Sequence, residues 1–371
     1  MQHNTIGGHS GSFCTAELIA LLAATAPVLQ SLTFSVSKHA PAKLSALPAA
    51  FGQLSQLTSL SLSLGRIIVT TAQVDSMLLG LTSLQCLTLE GSLGTRACED
   101  GLPVREGNHS SNLQALKIVN MNLGAIPSLQ GYYKSLTSLQ LYNCGVLSLP
   151  NSISSITGLK ELDLTLNGCL KILPIQLAAC CQLTALSIEA SCVTPVLEMM
   201  DSLRCLSIGI MRGMRLCTRY WSELSGLTEL MLRHSCDGND DTGIPANLSD
   251  MTGLRKLTVI GCQVADFPKG PYLTSLVSLH MFGCFFNSGV PPSLAAARQL
   301  TCLELCHQNA GFELTVADVA LLSSLPELRS ITLRTFKLPR AVWVERLAHL
   351  KAACDAQHRA QPVTIKTIRL Y

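Results

Sequence analysis

Charge is scarce in this chain. Only 14% of the 371 residues are Asp, Glu, Lys or Arg, against roughly 25% in an average globular protein. The net charge of +3 is too small for a surface built on phosphate contacts, so nucleic acid is not expected as a partner. Aromatics make up 5%, with two tryptophans. Long hydrophobic runs are missing, although 48% of the residues are apolar and mean hydropathy is +0.35. The longest weakly polar run, Leu18 to Leu29, spans twelve residues and contains Pro27. A membrane-spanning helix needs about 17 to 25 apolar residues, so no membrane span is expected. The first residues, MQHNTIGGHSGSFCTAE, hold no Lys or Arg and set Glu17 against the apolar run, which makes a poor secretory signal.

Motifs of chemistry are equally thin. There is no G-x-x-x-x-G-K-S/T and no H-E-x-x-H. GGHSGS places Gly11 one residue early for G-x-S-x-G, and no strand pattern precedes it. DGNDDTGIPANL starts like a calcium loop with Asp237, Asn239 and Asp241, but Thr242 and Leu248 stand where the loop requires Gly and Glu. It reads as a solvated turn. The sequons at Asn108 and Asn247 matter only in a secreted protein. Sixteen cysteines include no C-x-x-C pair. Without a secretory signal they read as reduced, mostly buried thiols of a cytosolic protein. No catalytic residue, cofactor or metal is expected.

What the chain has in abundance is one apolar phrase, L-x-x-L-x-L, repeated thirteen times. The copies are Leu29/Leu32/Phe34, Leu57/Leu60/Leu62, Leu84/Leu87/Leu89, Leu113/Leu116/Ile118, Leu136/Leu139/Leu141, Leu159/Leu162/Leu164 and Leu183/Leu186/Ile188. They continue with Leu203/Leu206/Ile208, Leu227/Leu230/Leu232, Leu254/Leu257/Val259, Leu276/Leu279/Met281, Leu300/Leu303/Leu305 and Leu328/Ile331/Leu333. Successive first leucines lie 20 to 29 residues apart. The second and third apolar residues of each phrase alternate with polar ones, as a short strand with one buried face requires. One repeat cannot bury these residues alone, whereas stacked repeats bury them in a continuous column.

In-phase repetition at this period resembles the leucine-rich repeat family. The Leu-Pro and Ile-Pro pairs ahead of an apolar residue resemble the intracellular repeats of plants and green algae. These are Leu149-Pro150 before Ile153, Leu173-Pro174 before Leu177, and Ile244-Pro245 before Leu248. The resemblance implies an α/β solenoid, a horseshoe with a parallel sheet on the concave side and helices or turns on the convex side. It also implies that the ninth residue of the phrase turns inward and bonds backbone groups left unpaired by the bend. Asn167, Cys144, Cys262 and Cys284 stand there, but so do Met121, Ser191, Met211 and Phe336.

The expected organisation is a helical N-terminal cap over residues 1–28, about thirteen repeats over 29–340, and a capping helix and strand over 341–371. Thr15 supplies the first start signal. Trp343, Leu347, Leu350 and Cys354 define one face of the last helix. Caps at both ends suggest a complete solenoid, and a monomer is expected. Residues 92–111 form a long insert between repeats.

The third, fifth and seventh residues of each phrase should point away from the core. Early repeats present serines and threonines. Later ones offer Tyr142, then an acidic stripe of Glu161, Asp163, Glu189 and Glu229, then an apolar and aromatic patch of Met231, Arg233, Ile260, His280 and Phe282. This face is the expected protein-binding site. A secondary patch of Arg212, Arg215, Arg219 and Trp221 would share a helix face, the alternative for Trp221 being a place in the core. The expectation is a non-catalytic, cytoplasmic interaction scaffold with a protein partner. Alternatives are a structural part of a cytoskeletal or axonemal assembly, or the recognition half of an immune-type or ubiquitin-ligase receptor.

Overall fold

The computed structural model describes residues 4–7, 24, 28–35, 49–65, 71–91, 112–124, 126, 134–189, 195–210, 221–234, 244–286, 289–307, 314–335, 341–356 and 362–369. The chain divides into two compact units, residues 1–202 and 203–371. Each is built from strands set by the repeated phrase.

The first unit carries strands β1 (Asn4–Gly7), β2 (Ser31–Ser35), β3 (Ser59–Ser63), β4 (Cys86–Glu90), β5 (Ala115–Val119), β6 (Ser138–Tyr142), β7 (Glu161–Asp163) and β8 (Ala185–Glu189). Each pairs in parallel with the next, and equivalent phrase positions face one another: Leu116 lies opposite Leu139, and Leu139 opposite Leu162. Helix α1 (Thr71–Gly80) returns the chain in the second repeat.

The second unit carries β9 (Cys205–Ile210), β10 (Glu229–His234), β11 (Lys256–Ile260), β12 (Gln263–Val264), β13 (Ser278–Phe286), β14 (Cys302–His307), β15 (Ser330–Thr335) and β16 (Thr364–Arg369). The order β9-β10-β11-β13-β14-β15-β16 is again parallel, and the short β12 pairs with the end of β13. Helices α2 (Tyr272–Ser275), α3 (Val316–Ser324) and α4 (Ala341–Ala356) lie between strands.

All thirteen phrases are strands, and the first leucine of every phrase is buried, as are its second and third apolar residues. This is the leucine-rich repeat solenoid that the resemblance implies. The side chains between them remain partly exposed on one sheet face, giving alternating burial such as Ser138–Tyr142.

Return segments are of two kinds. Both helices inserted between consecutive phrases that exceed one or two turns, α1 and α3, occupy repeats of 27 and 28 residues. Most others use a five-residue 3-10 turn, as at Asn151–Ser155, Ile175–Ala179 and Pro292–Ala296, and so do the 28- and 27-residue repeats that hold Ala49–Gln53 and Ala246–Asp250. The Leu-Pro signal has a clear role here. Pro150, Pro174 and Pro245 are extended, and their carbonyls accept from Ile153, Leu177 and Leu248 at 3.0, 3.0 and 3.1 Å. These i to i+3 bonds close the turn and drive the three apolar residues into the core. Helix α3 starts from a capping box in which Thr315 Oγ1 accepts from Asp318 N and Asp318 accepts from Thr315 N.

The second residue of the phrase has a role the apolar pattern hid. Thr58, Thr137, Thr184, Thr228 and Thr301 each donate a hydroxyl to a backbone carbonyl of the preceding repeat, at 2.9 to 3.2 Å.

At the N-terminal end, β1 pairs with β2, which nothing in the alternation of NTIG announces. The helical cap expected within residues 1–28 lies outside the described residues, apart from helical Ala24. At the other end, Leu350 and Cys354 of α4 are buried, and β16 follows as the strand-like segment expected there. The insert at 92–111, the turn at 237–243 and Ser191, Met211 and Phe336 lie outside the described residues.

Candidate functional site

The ninth phrase position behaves as a buried bonding column. Asn167, 1% exposed, donates Nδ2 to Leu141 O at 2.6 Å and Leu164 O at 2.8 Å, with a weaker contact to Thr165 O at 3.4 Å. Its Oδ1 accepts from Cys144 N and Val146 N, both at 3.0 Å. Cys144 Sγ reaches Ile118 O and Tyr142 O at 3.2 and 3.3 Å, and Cys284 Sγ reaches Val259 O and Phe282 O at 3.5 and 3.6 Å. Cys144, Cys262 and Cys284 are free thiols and fully buried. Met121 fills the same place with its apolar side chain. These residues are fold machinery.

The residue before this column takes a left-handed backbone in several repeats. Asn120, Asn143 and Leu166 have φ of 56°, 52° and 59°, and Gly261 and Gly283 have 70° and 58°. Asn and Gly tolerate this region, whereas a leucine is strained there.

On the sheet face of the first unit, Tyr142, Glu161 and Asp163 are half-buried on β6 and β7. Glu161 accepts from Ser138 Oγ at 2.9 Å and Gln140 Nε2 at 3.1 Å. Asp163 accepts from Thr165 N at 2.9 Å. Glu189 does not stand on an open surface, contrary to its place in the expected acidic stripe. It is 2% exposed, and its carboxylate accepts from the N–H of the strained Leu166 at 2.7 Å. A backbone donor left bare by the left-handed turn draws the acid inward, since an unpaired buried N–H costs about 1 to 3 kcal/mol. Asp163 and Glu189 thus tie down the turn after β7, while Glu161 braces β6.

The face of the second unit is different. Glu229 pairs with Lys256 at 3.0 Å, its register neighbour, with both side chains well exposed. Met231, Arg233, Ile260, His280 and Phe282 are all half-buried on β10, β11 and β13. Register places Arg233 opposite Ile260 and Ile260 opposite Phe282. The rings of His280 and Phe282 stack with centroids 6.0 Å apart, and the Arg334 guanidinium lies 5.8 Å from the Phe282 centroid. Glu304 joins the cluster: one carboxylate oxygen pairs with Arg334 Nε and the other lies 3.0 Å from His280 Nδ1. His280 Nε2 is 2.7 Å from Ser278 Oγ. Burial would raise Glu304, but its hydrogen bonds to Arg334 and His280 outweigh this and hold it below the ordinary value.

Ser278, His280 and Glu304 share the connectivity of a nucleophile, a base and an orienting acid. The backbone donors needed beside such a serine for an oxyanion are engaged elsewhere. Val277 N and Ser278 N donate to Arg255 O, and Thr301 N and Cys302 N donate to Val277 O. Arg334 also claims the acid. The arrangement is an ionic clamp that fixes His280, Phe282 and Arg334 in place.

Glu304, Arg334 and Lys256 are absent from the sequence-derived site. Glu304 and Arg334 occupy the fifth and seventh positions of the last two phrases, so the same counting reaches them. Of the secondary patch, Arg212, Arg215 and Arg219 lie outside the described residues. Trp221 is 1% exposed and opens a 3-10 turn, Trp221–Glu223, so it is a core residue and not part of a surface patch. Among the described residues no group of three or more His, Cys, Asp or Glu side chains could hold a metal, and no helix is long and apolar enough to cross a membrane.

This fold defines a repeat protein built on a parallel sheet. A family model described as "Leucine-rich repeat region" matches residues 111–354, and the chain belongs to that family. Among solved structures, a leucine-rich repeat protein of Leptospira interrogans is similar at 18% identity, with 93% of this chain and 99% of that one covered and a TM-score of 0.52. An internalin of Listeria monocytogenes is similar at 15% identity, over 95% and 90% of the two chains, with a TM-score of 0.48. Among curated proteins no sequence relative matches. Leucine-rich repeat folds commonly mediate protein–protein interaction.

Proposed function

We propose that this protein is a non-catalytic interaction module whose protein partner docks on the sheet face of its second unit. The supporting observation is the clamp around Phe282. An aromatic ring on an open sheet face is stacked on His280, covered by Arg334 and braced through Glu304. Aromatics and Arg held in this way are typical of interface hot spots, because little side-chain freedom is lost on binding. Met231, Arg233 and Ile260 extend the surface beside it, and Glu229 with Lys256 forms a polar border. In the first unit, Tyr142 remains a candidate contact, while Glu161, Asp163 and Glu189 serve the fold.

The test is affinity purification from an extract of the source cells, with mass spectrometry, comparing wild type with a Met231→Ala/Phe282→Ala variant. The expected result is a set of proteins retained by the wild type and lost by the variant at equal folded concentration. Identical sets from both would place the working surface elsewhere.

A further inference from the structure

The seventh phrase position forms a row across the second unit. By register it runs Arg233, Ile260, Phe282, Cys306, Arg334, Ile368. The row holds two guanidinium groups, three apolar side chains and a buried thiol, and no acid. The remaining described charges of the face are Lys256 and Lys366 against Glu229 and Glu304. By type these described residues are four cations and two anions, with Glu229 paired to Lys256, and Glu304 to Arg334 and His280.

Arg334 is the best-prepared group in the row. Nε is bonded to Glu304, and the guanidinium carbon lies 5.8 Å from the Phe282 ring centroid. A guanidinium has five N–H donors in a rigid fork. With Nε occupied, the two terminal nitrogens carry the remaining four, and the side chain is 32% exposed. A fork already fixed in orientation suits a carboxylate, which accepts two parallel hydrogen bonds. Arg233 and Arg334 stand four strand steps apart, about 19 Å at about 4.8 Å per step. An extended segment spans that distance in about six residues. Ile260 and Phe282 lie between them.

We propose that this row binds an acidic peptide segment. One carboxylate of the segment pairs with Arg334, and an apolar side chain rests on Ile260 and Phe282. A second acid, about six residues away, lies toward Arg233. This rests on the reading of the second-unit face as the docking surface, and it adds the chemistry of the partner.

The experiment is selection of a random dodecapeptide display library on the full chain. Enriched sequences are then synthesised with a fluorescein label and titrated by anisotropy at low and high salt. The expected outcome is enrichment of acids flanking an apolar residue, with affinity falling at high salt. Arg334→Glu and Phe282→Ala should each weaken these peptides about 10-fold or more, the scale of one charge-assisted hydrogen bond or one hot-spot ring. Arg334→Lys keeps the charge and the Glu304 pairing but loses the fork. It should weaken binding less than Arg334→Glu does, which separates recognition from a folding defect. Enrichment of basic or uncharged peptides that Phe282→Ala still abolishes would overturn the acidic partner and leave the docking face standing. No enrichment, or peptides indifferent to every variant, would overturn both.

Discussion

Replacing Asn167 with alanine tests the physics of the repeat directly. The amide accepts from Cys144 N and Val146 N and donates to Leu141 O and Leu164 O, all within 3.0 Å and all buried. Truncation leaves two backbone N–H groups without acceptors, at about 1 to 3 kcal/mol each. Carbonyls tolerate loss of one donor better, since each has two lone pairs. The expected destabilisation is about 3 to 5 kcal/mol, allowing for a water entering the vacated polar space. Asn167→Cys, which installs the residue found at 144, 262 and 284, restores a donor toward Leu141 O but no comparable acceptor. It should cost less than the alanine variant, at about 1 to 3 kcal/mol. Urea titration followed by circular dichroism gives the total. Repeat proteins can lose two-state behaviour, so hydrogen exchange gives the local answer. Exchange at Cys144 and Val146 should accelerate, while Leu303 in the other unit should not change. If Asn167→Ala costs no more than a surface change, about 0.5 kcal/mol, the bonding column is not what holds the turn.

Leu166→Asn should stabilise the protein by about 0.5 to 1 kcal/mol, because leucine at φ 59° is strained and 41% exposed, and Asn120 and Asn143 already occupy equivalent places; a lower urea midpoint would contradict this. Burial lowers His234 from 6.5 to about 4. Its folded value lies below its unfolded one, so stability is full above about 6.5 and falls as pH drops toward 4; melting temperatures of His234→Gln across that window should fall less than those of wild type. Glu304 is also held low, so its contribution is present above its ordinary 4.5 and is lost on further acidification; Arg334→Met should lessen that acid-side loss. For the thiols, a maleimide pulse on native protein, mapped by mass spectrometry, should mark the exposed Cys86, Cys169 and Cys181. It should spare Cys144, Cys262, Cys284 and Cys180, the last pushed up to about 11 by burial and its neighbour Cys181; native labelling of Cys262 or Cys284 would contradict the packing.

The phrase made the strands legible because three apolar positions, spaced three then two, leave few alternatives once repeated thirteen times. The turns were only half legible. Pro150 and Pro174 announced a break, but repeat length did not decide between a 3-10 turn and an α-helix, since repeats of 27 and 28 residues hold either. The recurring Thr58, Thr137, Thr184, Thr228 and Thr301 were visible as letters. Their role was not, because their acceptor carbonyls lie one repeat earlier. Strand β1 was illegible for a different reason. Its partners are backbone groups of β2, and backbone pairing leaves no mark on a four-residue segment without alternation.

The surface residues show why alternation predicts direction but not availability. Glu161 and Asp163 point out of the core, as counted, yet their oxygens are held by Ser138, Gln140 and Thr165 N. Ser138 lies opposite Glu161 in register, and Gln140 opposite Asp163, so polar donors beside an acid in the aligned phrases were a readable sign of an internal bond. Glu189 needed more: its donor, Leu166 N, exists only because that turn is left-handed. Arg334 reverses the case. Its partner Glu304 bonds Nε, one of its five N–H donors, and its guanidinium carbon lies 5.8 Å from the Phe282 ring centroid. A carboxylate already bonded within the sheet has less to offer a partner, whereas a guanidinium with two terminal nitrogens beyond its paired Nε has more. That asymmetry, and not the count of acids along the strands, is the reason to look for the partner on the second unit.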